Sequence, residues 1–232
     1  MKFEQPLIHG NLVKRYKRFL TDITLDNGQL VTAHCTNSGS MKTCLEDDAE
    51  VYISKSANPN RKLPYTWEMI KINGNWVGIN TFNPNKLALE ILSEDWIKEL
   101  PHFDFLKPEV KFGDSRFDVY GEAGSEKVFV EVKNVTYKDG IYARFPDAVT
   151  TRGLKHLHTL VEAKAQGYRT IMLYIIQRMD VEIFTPAWNI DSNYGKGLVE
   201  AHSKGVEIIP LQVKVTPKGI EPYKILPYSL DL

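Results

Sequence analysis

The chain has 232 residues, 43% hydrophobic and 25% charged, with 29 basic against 29 acidic side chains. That composition suits a globular protein with a sizeable core and leaves one large domain or two modest ones open. Zero net charge removes any global positive field, so a nucleic-acid partner needs a local basic patch, and no run approaches the roughly 20 apolar residues that span a bilayer.

The opening segment MKFEQPLIHG lacks the apolar core of a secretion signal, and Cys35 and Cys44 are the only cysteines. Both features point to a cytoplasmic protein with reduced thiols. FLTDITL, an Asn27-Gly28 turn and QLVTAHC read as a hairpin, because Asn-Gly suits the positive φ values of a tight turn. EVYISKS follows, then YTWEMIKI, an Asn73-Gly74 turn and WVGIN. About five short strands with two hairpins and little helix fit a small OB-like barrel.

The character changes at TFNPN, residues 81 to 85, where Asn83 or Asn85 is placed to cap a helix with the apolar stripe Leu87, Leu89, Ile91, Leu92 and Ile97, ended by Pro101. PEVKF, SRFDVYG and KVFVEVKNVTY follow as strands, with Gly113 and Gly124 at turns. TTRGLKHLHTLVEAKAQ reads as a helix with Leu154, Leu157, Val161 and Ala165 on its apolar side, stopped by Gly167. TIMLYIIQ is the continuous apolar run of a strand buried on both faces, and a third helix near SNYGKGLVEAHSKG leads into VEIIPLQVKV. The chain is therefore expected to be a two-domain α+β protein: residues 1–82 an OB-like β-barrel, residues 83–232 a mixed α/β domain.

In V-F-V-E-V-K-N-V, residues 128 to 135, Glu131 and Lys133 share a strand face with Phe129 while three valines take the other. Any amphipathic strand can show such a pair, and as an exposed salt bridge it stabilises little. Asp118, on the preceding strand, makes a second reading available. Two carboxylates a few ångströms apart repel, and Mg²⁺ or Mn²⁺ relieves the repulsion, taking its remaining ligands from water and phosphate. Lys133 then orients an attacking water while the metal stabilises charge on phosphate. Glu90, on the preceding helix, is a further acidic candidate, and Gln177 a polar contact at the same edge.

The order of helix, three strands, helix and strand with this acid and lysine spacing resembles the PD-(D/E)XK nuclease superfamily. The match assigns Asp118 and Glu131 as metal ligands and Lys133 as the catalytic lysine. Glu90 stands as the helical acid, with Glu94 and Glu109 also available; Phe117 takes the place of the proline in the superfamily's name. Over nearly the whole chain, RYKRFL, AHCTNSGSM, RKLPYTWE, EVKNVT and FPDAVTTRGLKHL resemble hallmark segments of the sugar fermentation stimulation protein A (SfsA) family. That resemblance implies an OB-like domain joined to a nuclease-like domain, DNA binding without marked sequence preference, and a regulatory link to maltose use. It supplies no accepted reaction. A metal-dependent endonuclease and a non-catalytic DNA-binding regulator both remain available.

The basic residues Arg15, Lys17 and Arg18 around Tyr16, and Arg61 and Lys62 before Tyr65, read equally as a solvated charge run beside core aromatics or as a patch that meets phosphate and stacks bases, and the family resemblance favours nucleic acid. His34, Cys35 and Cys44 lack a fourth ligand for zinc and read as buried thiols beside a histidine. His156 and His158 sit two apart on a helix and cannot chelate together, so Arg152, Lys155 and His156 are expected on its solvated face. Tyr142, Arg144 and Asp147 fall in the loop where substrate would enter, with no role fixed.

Overall fold

A computed structural model describes residues 1–231, and among these residues no helix is long and apolar enough to cross a membrane. The first unit is built from β1 (Ile8–Tyr16), β2 (Leu20–Leu25), β3 (Leu30–His34), β4 (Glu50–Lys55), β5 (Tyr65–Ile72) and β6 (Asn75–Gly78). Antiparallel pairing runs β3-β2-β1-β4-β5-β6, and parallel contacts Ala33–Tyr65 and His34–Thr66 join β3 to β5. The first five strands thus close into an OB-like barrel, which leaves those edges paired. Alternation drives the closure: Thr21, Ile23 and Leu25 of β2 point inward, onto Ala33, Ile53, Trp67 and Ile70. Asn73 (φ 50°) and Gly74 (φ 74°) make the turn between β5 and β6, as the sequence predicts.

Within the barrel, β1 is the strand that sequence reading does not anticipate. Its second half is charged and its first half holds Gly10, both poor strand signals. Gly10 is required there, since a Cβ would lie 2.5 Å from the Thr24 carbonyl oxygen on β2.

The second unit begins with α1 (Asn83–Ser93), followed by β7 (Phe105–Phe112), β8 (Ser115–Ala123) and β9 (Glu126–Val135). Then come β10 (Tyr137–Asp139), β11 (Tyr142–Phe145), α2 (Thr151–Ala165), β12 (Arg169–Ile176), β13 (Ile183–Pro186), α3 (Ser192–Ser203), β14 (Glu207–Thr216) and β15 (Gly219–Ile225). The main sheet has the order β15-β14-β12-β9-β8-β7, with β12 parallel to both neighbours. β12 sorts its side chains by period two: Ile171, Leu173 and Ile175 join the α1 core, while Met172, Tyr174 and Ile176 join the α2 and α3 core. β9 does the same, so Val128, Val130 and Val132 face α1, and Phe129, Glu131 and Lys133 face α2. Two features lie outside the sequence expectation: the small sheet β10-β11-β13, and the antiparallel edge strand β15, whose Gly219 bridges to Lys2.

The start of α1 also differs from expectation. Its N-cap is Phe82 without a side-chain bond, and the helix ends at Ser93, well before Pro101. Neither asparagine caps it, because both amides are drawn to carboxylates: Asn83 donates to Glu68 at 3.0 Å and Asn85 to Asp118 at 2.7 Å. α2 follows the capping rule, with the Thr150 hydroxyl accepting the Gly153 N–H.

The two units share an extensive polar seam. Arg178, fully buried, clasps Asp180 through Nε and Nη2 at 2.7 and 2.9 Å. Its Nη1 donates to the Thr136 carbonyl at 2.6 Å and the Thr43 hydroxyl at 3.2 Å, so one guanidinium joins the barrel to the sheet. Burial alone would raise the Asp180 carboxyl, but hydrogen bonds from Arg178 and Lys138 outweigh it and hold the group far below its usual range. The stabilisation from this carboxylate is therefore complete above the ordinary value of 3.8 and lost as pH falls below it toward the folded value. Urea unfolding followed downward from pH 5 should show the loss, and Asp180→Asn should flatten that part of the profile.

Candidate active site

The site begins where two strands part. The ladder between β8 and β9 runs from Ala123–Glu126 to Val119–Val130 and stops there. Beyond that point the Asp118 side chain replaces backbone pairing: Oδ2 accepts the Val132 N–H at 2.8 Å, and Oδ1 accepts the Asn85 amide from the first turn of α1. Asp118 is thus fixed by the neighbouring strand and by the helix that crosses it.

Glu131 lies one residue beyond the last ladder pair, 1% exposed. Its Oε1 accepts from Lys133 Nζ at 2.5 Å and from His156 Nδ1 of α2. Its Oε2 is buried and has no hydrogen-bond partner. The two carboxyls titrate in opposite directions. Burial, and then the Glu131 charge, hold Asp118 above the usual carboxylate range. Burial also acts to raise Glu131, but the His156 hydrogen bond and the Lys133 charge outweigh it and bring the group below that range.

An orphaned, buried carboxylate oxygen beside a second carboxylate is a place where a hard cation satisfies both groups. Two protein carboxylates with the other positions filled by water or phosphate fit Mg²⁺. Among the described residues no group of three or more His, Cys, Asp and Glu side chains is placed to hold a metal ion.

The structure does not bring Glu90 to this cluster. Its carboxylate pairs with the Met1 amine at 2.5 Å, and Asn85 is the α1 side chain that reaches Asp118. Glu109 pairs instead with Arg116 at 3.0 Å, and Glu94 is the residue that ends α1. Gln177 is buried at the end of β12, where it donates to Asn134 at 2.8 Å and leaves Oε1 without a partner.

His156 departs from the sequence expectation most sharply. It is buried against Glu131 rather than solvated, while Arg152, Lys155 and His158 are exposed. The buried face of α2 holds Gly153, His156, Leu157, Leu160 and Ala163, turned away from the stripe through Leu154 and Val161. Reading the helix from Leu157, Leu160 and Ala163 would have placed His156 beside them. Arg152 Nε donates to His156 Nε2 at 3.4 Å, which assigns the ring proton to Nδ1 and makes Glu131 its acceptor.

The basic residues of the barrel divide. Arg15 turns inward and donates to the Asn37 and Gly39 carbonyls at 2.9 and 3.1 Å, while Tyr16 donates to Asp22 at 3.1 Å. Lys17 and Arg18 form the exposed turn between β1 and β2. Arg61, in the β4–β5 loop, donates to Thr66 at 2.8 Å and lies 3.2 Å from His34, with Lys62 exposed beside it. Between the barrel and the sheet is a cleft of about 470 Å³, with Asn85, Val132 and Lys133 on its wall and Arg18, Arg144 and Arg152 around it.

Two family models match successive parts of the chain. Residues 13–79 match the family model described as "SfsA N-terminal OB domain", and residues 83–219 match "Sugar fermentation stimulation protein RE domain". The chain is 46% identical over 232 residues to a sugar fermentation stimulation protein homolog of Geobacter metallireducens, covering 99% of this chain and 100% of that one. It is 47% identical over 221 residues to the Synechocystis homolog, covering 93% of each. The solved structure of Pyrococcus furiosus SfsA in complex with Ca²⁺ superposes with a TM-score of 0.90 at 25% identity, over 99% of this chain and 98% of that one. With both domain models matched in order and curated relatives aligned over nearly their full length, the chain belongs to the sugar fermentation stimulation protein A family.

Proposed function

We propose that this protein binds DNA without sequence preference and hydrolyses phosphodiester bonds with Mg²⁺ or Mn²⁺. The observation that carries the reading is the buried, unpartnered Oε2 of Glu131 beside Asp118, with the Lys133 ammonium 2.5 Å from the other oxygen of the same carboxylate. The Ca²⁺ in the Pyrococcus furiosus relative supports a cation in this family. Lys17, Arg18, Arg61 and Lys62 lie in the β1–β2 turn and the β4–β5 loop, the loops by which OB-folds commonly hold nucleic acid. A cytoplasmic setting, where thiols stay reduced, suits the free, buried Cys35 and Cys44.

In this reading Asp118 and Glu131 hold the cation, which when bound stabilises negative charge developing on the phosphate. Lys133 has three N–H donors, and Glu131 takes one of them, which leaves donors for a water or a phosphate oxygen. Asn85 and the Val132 N–H keep the Asp118 carboxylate from rotating away. Water adds at phosphorus, the P–O ester bond breaks, and the water's proton passes through solvent to the leaving oxygen.

The test is hydrolysis of end-labelled DNA with Mg²⁺, with Mn²⁺ and with chelator. Cleavage that needs the ion and fails in Asp118→Asn supports the reading. DNA binding that survives chelation, with no cleavage under any divalent ion, would favour a non-catalytic DNA-binding regulator linked to sugar metabolism.

His156 acts here as a positioning residue, because its Nδ1–H holds one Glu131 oxygen and leaves the other available. Outer-shell partners of metal ligands are typically worth about 10–100-fold in affinity. His156→Ala should weaken Mn²⁺ binding by about that factor in isothermal titration, and His156→Gln should restore part of it. Unchanged affinity in His156→Ala would contradict the role.

A further inference from the structure

We infer that the cleft between the domains receives a single strand of nucleic acid, one nucleotide at a time, and excludes the duplex. The inference rests on the nucleic-acid reading above and adds the form of the substrate.

Size is the first argument. A volume of about 470 Å³ lies within the range of pockets that hold one small ligand. A paired duplex is wider than its own roughly 12 Å major groove, so it cannot enter a space of that size to reach Lys133 on the wall.

The walls are also pinned. Asp147 of the second unit accepts the Met41 N–H of the barrel at 3.2 Å, and a Cβ on Gly39 would lie 2.1 Å from the same carboxylate oxygen. Arg15 ties the Asn37 and Gly39 carbonyls from behind. The barrel loop is therefore held against the second unit at fixed spacing.

Charge and satisfaction identify what enters. Arg18, Lys133, Arg144 and Arg152 line the cleft against one acid, Asp147, which the Met41 N–H already occupies. Arg144 pairs through Nη2 with Asp139 at 3.2 Å and lies 5.4 Å from the centre of the Tyr142 ring, yet its buried Nε–H has no acceptor. A phosphate oxygen supplies that acceptor, and Arg gives it a charge-assisted bond. Tyr137 and Phe145 in the same wall offer rings for an unpaired base, whose face is exposed only when it has left the duplex.

The test is fluorescence anisotropy in chelator, where no cleavage occurs, using a labelled DNA strand of about 16 nucleotides, the upper site size of one OB fold, and its blunt duplex. The strand should bind at least about tenfold tighter than the duplex, consistent with stacking of one base. Arg144→Gln should remove most of that preference, and thermal melting shows whether it is folded. A second variant leaves Arg144 in place: Ala148→Trp, at an exposed position on the rim, should block the cleft and lower strand affinity by a similar factor while sparing the duplex. Equal binding of strand and duplex, or equal loss of both in Ala148→Trp, would overturn the inference. Strand preference without cleavage under any ion would leave the inference standing and remove the nuclease reading. Rapid internal cleavage of intact duplex would do the reverse.

Discussion

Lys133→Met should lower Mg²⁺-dependent DNA cleavage by about 10²–10⁴-fold, the usual loss when a side chain that handles the reacting proton or water is removed. Methionine preserves much of the stem, so the strand should keep its packing. What disappears is the ammonium at 2.5 Å from Glu131, together with its remaining donors. The change should fall on kcat and leave KM nearly unaltered, because a residue that acts on the attacking water contributes in the transition state. Mn²⁺ affinity should change far less than in His156→Ala, since the orphaned Oε2 of Glu131 is untouched. Single-turnover cleavage beside Mn²⁺ titration separates the two effects. A loss confined to KM would show that Lys133 only binds substrate.

The largest expected effect on stability lies elsewhere, in the seam. Arg178→Ala strips the partly buried Asp180 carboxylate of its bidentate, fully buried partner and leaves the Thr136 carbonyl without its 2.6 Å donor. Breaking a buried ion pair from one side typically costs about 3–5 kcal/mol. For a chain of this length each kcal/mol moves Tm by about 2–4 °C, so the midpoint should fall by roughly 6–20 °C. Lys138 and Asn73, which also reach Asp180 at 2.8 and 3.2 Å, keep the carboxylate from being wholly abandoned and favour the lower half of that range. Because Arg178 bridges barrel and sheet, the variant should also lose cooperativity between the two units in calorimetry. A Tm within 2 °C of the parent, against roughly 6–20 °C expected, would show that the seam is held by other contacts.

The features readable from sequence are those set by local rules. Alternation in β9 placed Glu131 and Lys133 on one face, and the apolar run of β12 announced a strand buried on both sides. Asn73-Gly74 specified its turn outright. The parts that were hidden depend on partners far away in the chain. Asn83 and Asn85 look like helix caps because a capping residue is recognised by type, yet each amide is claimed by a carboxylate from another element. Glu90 looks like a site acid because it stands on the correct helix, but its face of α1 turns to the edge of the sheet near β15. His156 departs from expectation for a different reason. A polar residue on an amphipathic helix defaults to solvent, and only a buried carboxylate opposite makes its burial favourable. The same logic applies to Arg178, whose burial no periodicity signals.

The central claim is that Asp118 and Glu131 together form a divalent-cation site. A crystal soaked in Mn²⁺ and measured by anomalous scattering tests it directly. The account predicts one strong peak between an Asp118 carboxylate oxygen and Glu131 Oε2, at about 2.0–2.3 Å from each, with Lys133 unliganded beside it. A peak bound by Asp118 alone, or no peak while Glu131 Oε2 stays buried and empty, would contradict it.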